Sequence, residues 1–172
     1  MNIVVFGATG SIGALTVLKL LEDGHSVTAF SRHPDALNLE HPNLKRAAGD
    51  VTKVADVCLA TEGSEAVIIT LGSGRSRSGR VRSEGTQQII DAMQRYGVKR
   101  LVCQTTLGAG DSWSNLNFFW KRVMFGVLLK PVFEDHERQE QLVKARSGLD
   151  HRSTQCVYEW GTKGSLKDRY FA

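Results

Sequence analysis

The chain has 172 residues, of which 41% are hydrophobic and 23% charged, as in an ordinary soluble globular domain. Its net charge of +4 is too small to indicate a nucleic-acid partner, and its three cysteines lack the spacing of a metal site or a disulfide framework. The apolar stretch at 118–133 is interrupted by charged residues and is shorter than the roughly 20 residues that span a membrane. We therefore expect a cytoplasmic protein with no leader, metal, membrane span or nucleic-acid partner.

Strand and helix signals alternate along the chain, which predicts an α/β fold: a doubly wound parallel sheet of the Rossmann type with helices on both faces. Strands are predicted at Asn2–Phe6, Ser26–Ser31, 45–48, 65–72 and 99–104. Helices are predicted at 11–23, Val54–Thr61 and 83–96. The run at 65–72 is almost continuously apolar, as is typical of a strand that is buried on both faces.

Three glycines separate the first strand from the first helix, in the stretch "FGATGSIG" at 6–13. This spacing, after a strand and before a helix, indicates a dinucleotide site. Gly7 would permit a tight turn, Gly10 a close approach of the backbone to a diphosphate, and Gly13 close packing of the helix on the sheet. Amide groups and the positive end of the helix dipole would then face the phosphates. The alternative is a glycine-rich turn that binds no ligand.

The end of the second predicted strand indicates which dinucleotide is bound. A site for NAD(H) usually has Asp or Glu about 20 residues after the glycines, where it binds the ribose 2′-hydroxyl. This chain has Ser31 and Arg32 there. A guanidinium group can hold the 2′-phosphate of NADP(H), whereas a carboxylate would repel it. The sequence therefore predicts NADP(H) as the cofactor; the alternative is that Arg32 is a solvated charge at a strand end.

Five motifs follow one another in the order typical of the atypical short-chain dehydrogenases/reductases. They are the glycine loop, "FSRHPDAL" (30–37), "AAGDV" (47–51), "VIITLGS" (67–73) and "GTQQIIDAMQRYGVKRLV" (85–102). The chain resembles in particular their NAD(P)H-binding group, which contains biliverdin-IXβ/flavin reductases and NmrA-like proteins. The resemblance implies a small-molecule substrate. It also implies cofactor contacts from Gly7, Thr9, Gly10, Ser11, Ile12, Arg32, Asp50, Val51, Leu71 and Gly72.

Two threonines are the candidate catalytic residues. Thr105 and Thr106 follow the fifth predicted strand, where members of this group often have small hydroxyl residues near the nicotinamide. The resemblance implies that they orient a substrate or bridge a proton. The alternative is that they simply end a strand.

The Tyr-x-x-x-Lys pair of ordinary dehydrogenases is absent from this sequence. That pair lowers the pKa of a phenol so that it can protonate a carbonyl oxygen. The resemblance therefore implies an NADPH-dependent reductase that transfers hydride to a flavin, a quinone or a similar conjugated acceptor, whose ring delocalises charge. Two alternatives remain open: an NmrA-like sensor that binds NADP(H) without turnover, and an inactive truncated member of the family.

Two further polar features have a structural as well as a functional interpretation. The arginines of the loop at 73–82 either hold anionic groups of a ligand or are simply solvated. Asp135 and His136 have the residue types of an acid–base pair, but adjacent residues of a helix do not face each other. We therefore expect this pair to be structural or to lie at the surface.

The sequence departs from the group after Ser147. Relatives commonly continue "SGLDWTIVRP", whereas this chain reads "SGLDHRSTQCVYEWGTKG". One choice of synonymous codons for residues 150–164, read from its second base, encodes TIVRPSAFTNGAPK, which is similar to the usual sequence. We therefore expect a shifted reading frame from about Asp150 onward. The prediction is an NAD(P)-binding domain at 1–150, a divergent tail at 151–172 that is not an independent domain, and a sheet without its C-terminal strand or strands.

Overall fold

The computed structural model describes residues 1–72, 80–104 and 130–145. Strands and helices alternate through these residues, and a single 3₁₀ turn at Pro34–Ala36 follows the second strand. The elements are β1 (Asn2–Phe6), α1 (Ser11–Glu22), β2 (Ser26–Ser31), β3 (Leu44–Ala48), α2 (Val54–Thr61), β4 (Ala66–Ile69), α3 (Val81–Tyr96), β5 (Arg100–Cys103) and α4 (Lys130–Ala145).

The strands form one parallel sheet in the order β3-β2-β1-β4-β5. The register places Phe6 of β1 beside Phe30 of β2 on one side and beside Ile69 of β4 on the other. The chain therefore adds β2 and β3 on one side of β1, and then returns to add β4 and β5 on the other side. This order confirms the predicted Rossmann-type sheet. In open sheets of this kind, ligands bind at the carboxyl ends of the strands, next to the point where the order reverses.

Helices cover both faces of the sheet, as the sequence predicts. Successive residues of a strand point to opposite faces, so Val5 of β1 packs with α1 on one face while Phe6 packs with α2 and α3 on the other. Both side chains are completely buried. Burial on both faces explains why the sequences of β1 and β4 are almost entirely apolar.

Three elements differ most from their predicted bounds, whereas each of the other predicted elements agrees to within one residue. β4 ends at Ile69 rather than at residue 72, and α3 begins at Val81 rather than at 83. β5 is also shorter than predicted, at Arg100–Cys103. Residues 151–172 lie outside the described residues, so the predicted tail does too. In the described ranges, no helix has the length and apolar content needed to cross a bilayer.

Candidate functional site

The predicted cofactor contacts come together along one edge of the sheet, at the carboxyl ends of four neighbouring strands. They lie at 7–12 after β1, at Arg32 after β2, at Asp50 and Val51 after β3, and at Leu71 and Gly72 after β4. Ligands of open α/β sheets bind at such an edge, where the strand order reverses. Thr105 and Thr106, the candidate catalytic residues, lie outside the described residues.

Gly7 makes the turn at the end of β1, and no other residue fits there. Its φ of +89° lies in the left-handed region, and a Cβ atom at this position would lie 2.6 Å from the Thr70 carbonyl oxygen. The amides of Gly7 and Ala8 donate to the Phe30 carbonyl oxygen, at 3.0 and 3.2 Å. The Thr70 hydroxyl donates to the Phe6 carbonyl oxygen at 3.0 Å. The loop is therefore fixed to both neighbouring strands.

Gly13 and Gly10 differ sharply in what surrounds them. A Cβ atom on Gly13 would lie 2.9 Å from Thr70 Oγ1 and closer still to the Gly7 carbonyl oxygen, so α1 could not approach the loop with any larger residue. Among the described residues, a Cβ atom on Gly10 would meet the Gly7 carbonyl oxygen alone, at 3.3 Å. Gly10 also has an ordinary extended backbone, with φ −70° and ψ 160°, and it is exposed. The fold therefore requires glycine more strictly at 13 than at 10.

The N-terminus of α1 opens onto this loop. The first amides of a helix have no partner within the helix. Gly10 supplies no side-chain cap, and the first turn of α1 contains no acidic residue. Thr9 and Ser11, which flank Gly10, are both exposed. Within the part of the chain that the structure describes, the loop therefore presents uncapped amide donors and an uncompensated positive dipole end, which together suit an anionic group.

At the end of β2, the buried hydroxyl of Ser31 is followed by the charged side chain of Arg32. Arg32 is exposed, whereas Ser31 is only 8% exposed and its hydroxyl has no hydrogen-bond partner among the described residues. The Ser31 carbonyl oxygen accepts the Gly49 amide at 3.1 Å, so the ends of β2 and β3 are joined next to Arg32. The edge thus carries a guanidinium where a carboxylate would be expected in a site for NAD(H).

Asp50 forms a tight local turn at the end of β3. Its Oδ1 accepts the Thr52 amide at 2.9 Å and the Thr52 hydroxyl at 2.8 Å. Its own amide donates to Asp56 Oδ2 at 2.9 Å. The hydrogen bonds from Thr52 lower the pKa of Asp50 below its usual value of 3.8, and the positive charges of Arg32 and Lys53 lower it further. Asp50 is therefore ionised at neutral pH.

Val51 and Leu71 pack beneath the edge. Val51 is only 7% exposed. A Cβ atom on Gly85 of α3 would lie 2.8 Å from the Val51 methyl groups and 3.1 Å from Leu71 Cδ1, so glycine at 85 allows α3 to lie directly over these side chains. Gly72 is exposed at the end of this segment. Among the described residues, no group of three or more His, Cys, Asp or Glu could hold a metal ion.

Arg82 is a residue of the site region whose role the sequence did not indicate. It was grouped with the loop arginines, yet it lies in the first turn of α3 and is only 9% exposed. Its Nε donates to the Leu71 carbonyl oxygen at 2.9 Å. Burial lowers the pKa of Arg82, and the negative charge of Asp135 partly offsets that effect. The guanidinium group thus fixes the segment that follows β4.

Asp135 reaches from α4 to the N-terminus of α3. Its carboxylate accepts the amides of Arg82 and Ser83, at 3.1 and 3.0 Å, and the Ser83 hydroxyl at 2.5 Å. One turn further along, Gln139 Nε2 donates to the Thr86 hydroxyl at 3.0 Å. Asp135 is 2% exposed and caps α3 from another helix, so its role is structural, one of the two roles expected.

Comparison with known proteins yields a family match over most of the chain. Residues 7–153 match the family model described as NAD(P)H-binding. The 3 beta-hydroxysteroid dehydrogenase/Delta 5→4-isomerase of Mycobacterium tuberculosis is 40% identical over 178 aligned positions, which cover 95% of this chain and 48% of that protein. The chain thus spans about half the length of this curated relative. The match confirms the resemblance inferred from the five motifs.

Solved structures share the fold. The oxidoreductase ylbE from Lactococcus lactis has a TM-score of 0.73 at 20% identity, covering 87% of this chain and 66% of its own. ChuY, the anaerobillin reductase of Escherichia coli O157:H7, has a TM-score of 0.70 at 25% identity, covering 87% of this chain and 69% of its own. These similarities confirm the Rossmann-type architecture.

Proposed function

The chain belongs to the NAD(P)H-binding family, and we propose that it is an oxidoreductase that transfers hydride from NADPH to a flavin, a quinone or a similar conjugated acceptor. The nicotinamide of the bound cofactor supplies the hydride. The described residues would bind the dinucleotide, orient it and select its phosphate. Thr105 and Thr106 would orient the acceptor or bridge a proton.

Gly10 is the observation that carries the proposal. Its backbone is ordinary, and among the described residues a Cβ atom here would press on a single carbonyl oxygen, so folding gives a weaker reason for glycine here than at 7 or 13. A diphosphate that approaches the backbone closely does give one, because a side chain here would stand between the phosphates and the amides of α1. We infer that the loop at 7–12, including Thr9, Ser11 and Ile12, holds the diphosphate.

The other contacts would follow the dinucleotide along the edge of the sheet. Arg32 would bind the 2′-phosphate, which favours NADPH over NADH. Asp50 and Val51 would flank the adenine, as the resemblance implies. Leu71 and Gly72 would pass beneath the cofactor, and the hydrogen bond from Arg82 to the Leu71 carbonyl oxygen supports a fixed position for that segment.

Two observations bear on the acceptor. The sequence contains no Tyr-x-x-x-Lys pair to protonate a carbonyl oxygen, which favours an acceptor whose ring delocalises charge. The structural neighbour ChuY is named as a reductase. The mycobacterial relative is instead named for a steroid substrate, so a 3-oxosteroid is the second acceptor class to be tested.

Cofactor binding is tested by fluorescence titration with NADPH and with NADH. We expect the wild-type protein to bind NADPH more tightly. Arg32→Ala should weaken NADPH binding about tenfold through loss of a charge-assisted hydrogen bond and leave NADH binding unchanged. Arg100→Ala is the matched control, because Arg100 is exposed at the opposite end of the sheet. Equal affinities of the wild-type protein for both dinucleotides would contradict the NADPH assignment.

Turnover is tested by following NADPH absorbance with a flavin, a quinone or a 3-oxosteroid added in turn. We expect steady consumption with the flavin or the quinone and none above background with the steroid. Consumption with the steroid alone would replace the proposed acceptor class. Tight NADPH binding without consumption in any arm would favour the sensor that binds NADP(H) without turnover.

A further inference from the structure

Lys53 occupies a position that ordinarily has a different kind of residue. It is the N-cap of α2, and its side chain makes no capping hydrogen bond. Ser, Thr, Asp and Asn are preferred there because their side-chain oxygens accept a free amide of the first turn. Lysine has no acceptor and places a positive charge at the positive end of the helix dipole. The local structure of α2 therefore gains nothing from lysine at this position.

Lys53 and Arg32 both lie near Asp50, at the ends of the neighbouring strands β2 and β3. Ser31 is paired with Ala48 in the sheet, and the Gly49 amide donates to the Ser31 carbonyl oxygen. The Lys53 amide in turn donates to the Asp50 carbonyl oxygen at 2.9 Å, which closes the turn between β3 and α2. The turn that ends in Lys53 thus begins beside the strand end that carries Arg32.

Both cations are available to a ligand. Lys53 and Arg32 are exposed, and the ion pairs among the described residues are those of Lys19 with its neighbours on α1. The nearby carboxylates already have other partners, since Asp50 accepts two hydrogen bonds from Thr52 and Asp56 accepts the Asp50 amide. The lowered pKa of Asp50 is consistent with this arrangement, because the positive charges of Arg32 and Lys53 both contribute to it.

We propose that Lys53 is a second specificity-determining residue, which binds the 2′-phosphate of NADPH together with Arg32. This inference rests on the proposed function. A phosphate monoester carries a charge of about −1.5 to −2 at neutral pH, which one guanidinium does not neutralise. Arg32 would bind two phosphate oxygens through its planar fork, and Lys53 would act as a point charge. Lys53 would also offset the negative charges of Asp50 and Asp56, which would otherwise repel the phosphate.

The variant Lys53→Ser separates a role in NADPH binding from a role in the stability of α2, because the two quantities should change in opposite directions. Serine can cap α2, so the melting temperature of the Lys53→Ser protein should rise by about 2–4 °C. NADPH binding should weaken about fivefold, while NADH binding stays unchanged. Adenosine 2′,5′-bisphosphate, used as a competitor, should lose affinity by the same factor, and 5′-AMP should not. Lys53→Arg should retain NADPH binding, and Lys45→Ala, at an exposed lysine of β3, is the control.

The outcomes distinguish this inference from the function on which it rests. If Arg32→Ala loses the preference for NADPH and Lys53→Ser keeps it, the role of Lys53 is wrong and the proposed cofactor stands. If Lys53→Ser weakens NADPH and NADH equally, its effect is structural and the inference is again wrong. If the wild-type protein itself shows no preference, both proposals are contradicted.

Discussion

A methyl group added at Gly7, Gly10 or Gly13 would meet three different environments. At Gly7 it would require a positive φ and would clash with the backbone that follows β4, and at Gly13 it would clash with the backbone of the loop itself. At Gly10 it would displace one carbonyl oxygen by a few tenths of an ångström. One sequence motif thus contains two glycines that folding requires and one for which we propose a role in ligand binding.

We therefore predict opposite phenotypes for two alanine variants. Gly13→Ala should lower the free energy of unfolding by about 3 kcal/mol or more, because backbone atoms cannot move aside as a side chain can. Gly10→Ala should change it by less than about 1 kcal/mol, yet weaken NADPH binding at least about tenfold by blocking the approach of the diphosphate. Urea denaturation and NADPH fluorescence measure the two quantities. A stable Gly10→Ala variant with wild-type NADPH affinity would contradict the proposal that the loop at 7–12 holds the diphosphate.

The residues of this edge divide into those that the sequence could predict and those that it could not. The glycines, Arg32 and the Asp50–Val51 pair follow strand ends directly, so their chain position indicates the edge on which they lie. The contact between Arg82 and Asp135 joins residues 53 apart in the chain. No local pattern specifies such a contact, because it depends on how α4 packs against α3. For that reason Asp135 could be judged only structural or exposed, and Arg82 only a loop residue.

At the scale of elements, the N-terminus of α3 is capped by another helix. Arg80 is its N-cap residue, and its side chain makes no capping hydrogen bond. Ser83, where the sequence predicts the helix to begin, has the residue type of a cap, but its hydroxyl donates to Asp135 instead. The helix can therefore begin two residues earlier, at Val81. A cap supplied by α4 also makes the start of α3 depend on the docking of α4.

Removing that cap should destabilise the protein. Asp135→Ala would remove the partner of two buried amides, and it would leave the Ser83 hydroxyl with its longer bond, 3.3 Å, to the Arg80 carbonyl oxygen. We therefore expect the free energy of unfolding to fall by about 3 kcal/mol. Asp135→Asn retains one acceptor oxygen and should lose less. Glu137→Ala, at an exposed residue of α4, is the control and should change stability by less than about 0.5 kcal/mol. Urea denaturation curves of the three variants provide the comparison, and equal stability of Asp135→Ala and Glu137→Ala would contradict the capping role.

The end of β4 shows a second limit of sequence patterns. The apolar run predicts a strand to residue 72, but a strand needs a neighbour, and β1 turns away at Gly7. Thr70 therefore makes the last contact with β1, through its amide and its hydroxyl to the Phe6 carbonyl oxygen. Leu71 and Gly72 therefore continue past the carboxyl end of the sheet without a strand partner in β1. Hydrophobicity predicts that a segment is buried, whereas its pairing in the sheet depends on where the neighbouring strand ends.

At the scale of the whole molecule, the described residues form the cofactor-binding part of a fold that is longer in its relatives. The Mycobacterium tuberculosis protein aligns with this chain over 48% of its own length. The family match extends to residue 153, close to the position where the sequence departs from its group. The proposed shift of reading frame near Asp150 would account for that departure. The nucleotide sequence of the gene tests it directly, because the alternative frame must encode TIVRP or a close variant.

A protein in which residues 151–164 are replaced by TIVRPSAFTNGAPK tests the physical consequence. The β-branched residues of the new segment favour a strand, and burying its Ile and Val side chains against the sheet contributes about 1.5–3 kcal/mol each. We expect the melting temperature to rise by about 5 °C or more and turnover of NADPH with a conjugated acceptor to increase. NADPH affinity should change little, because the proposed cofactor contacts all lie within the first 82 residues. The control carries the same 14 residues in shuffled order. Equal stability and turnover of the two proteins would contradict the proposal that a shifted reading frame replaced a strand-forming segment.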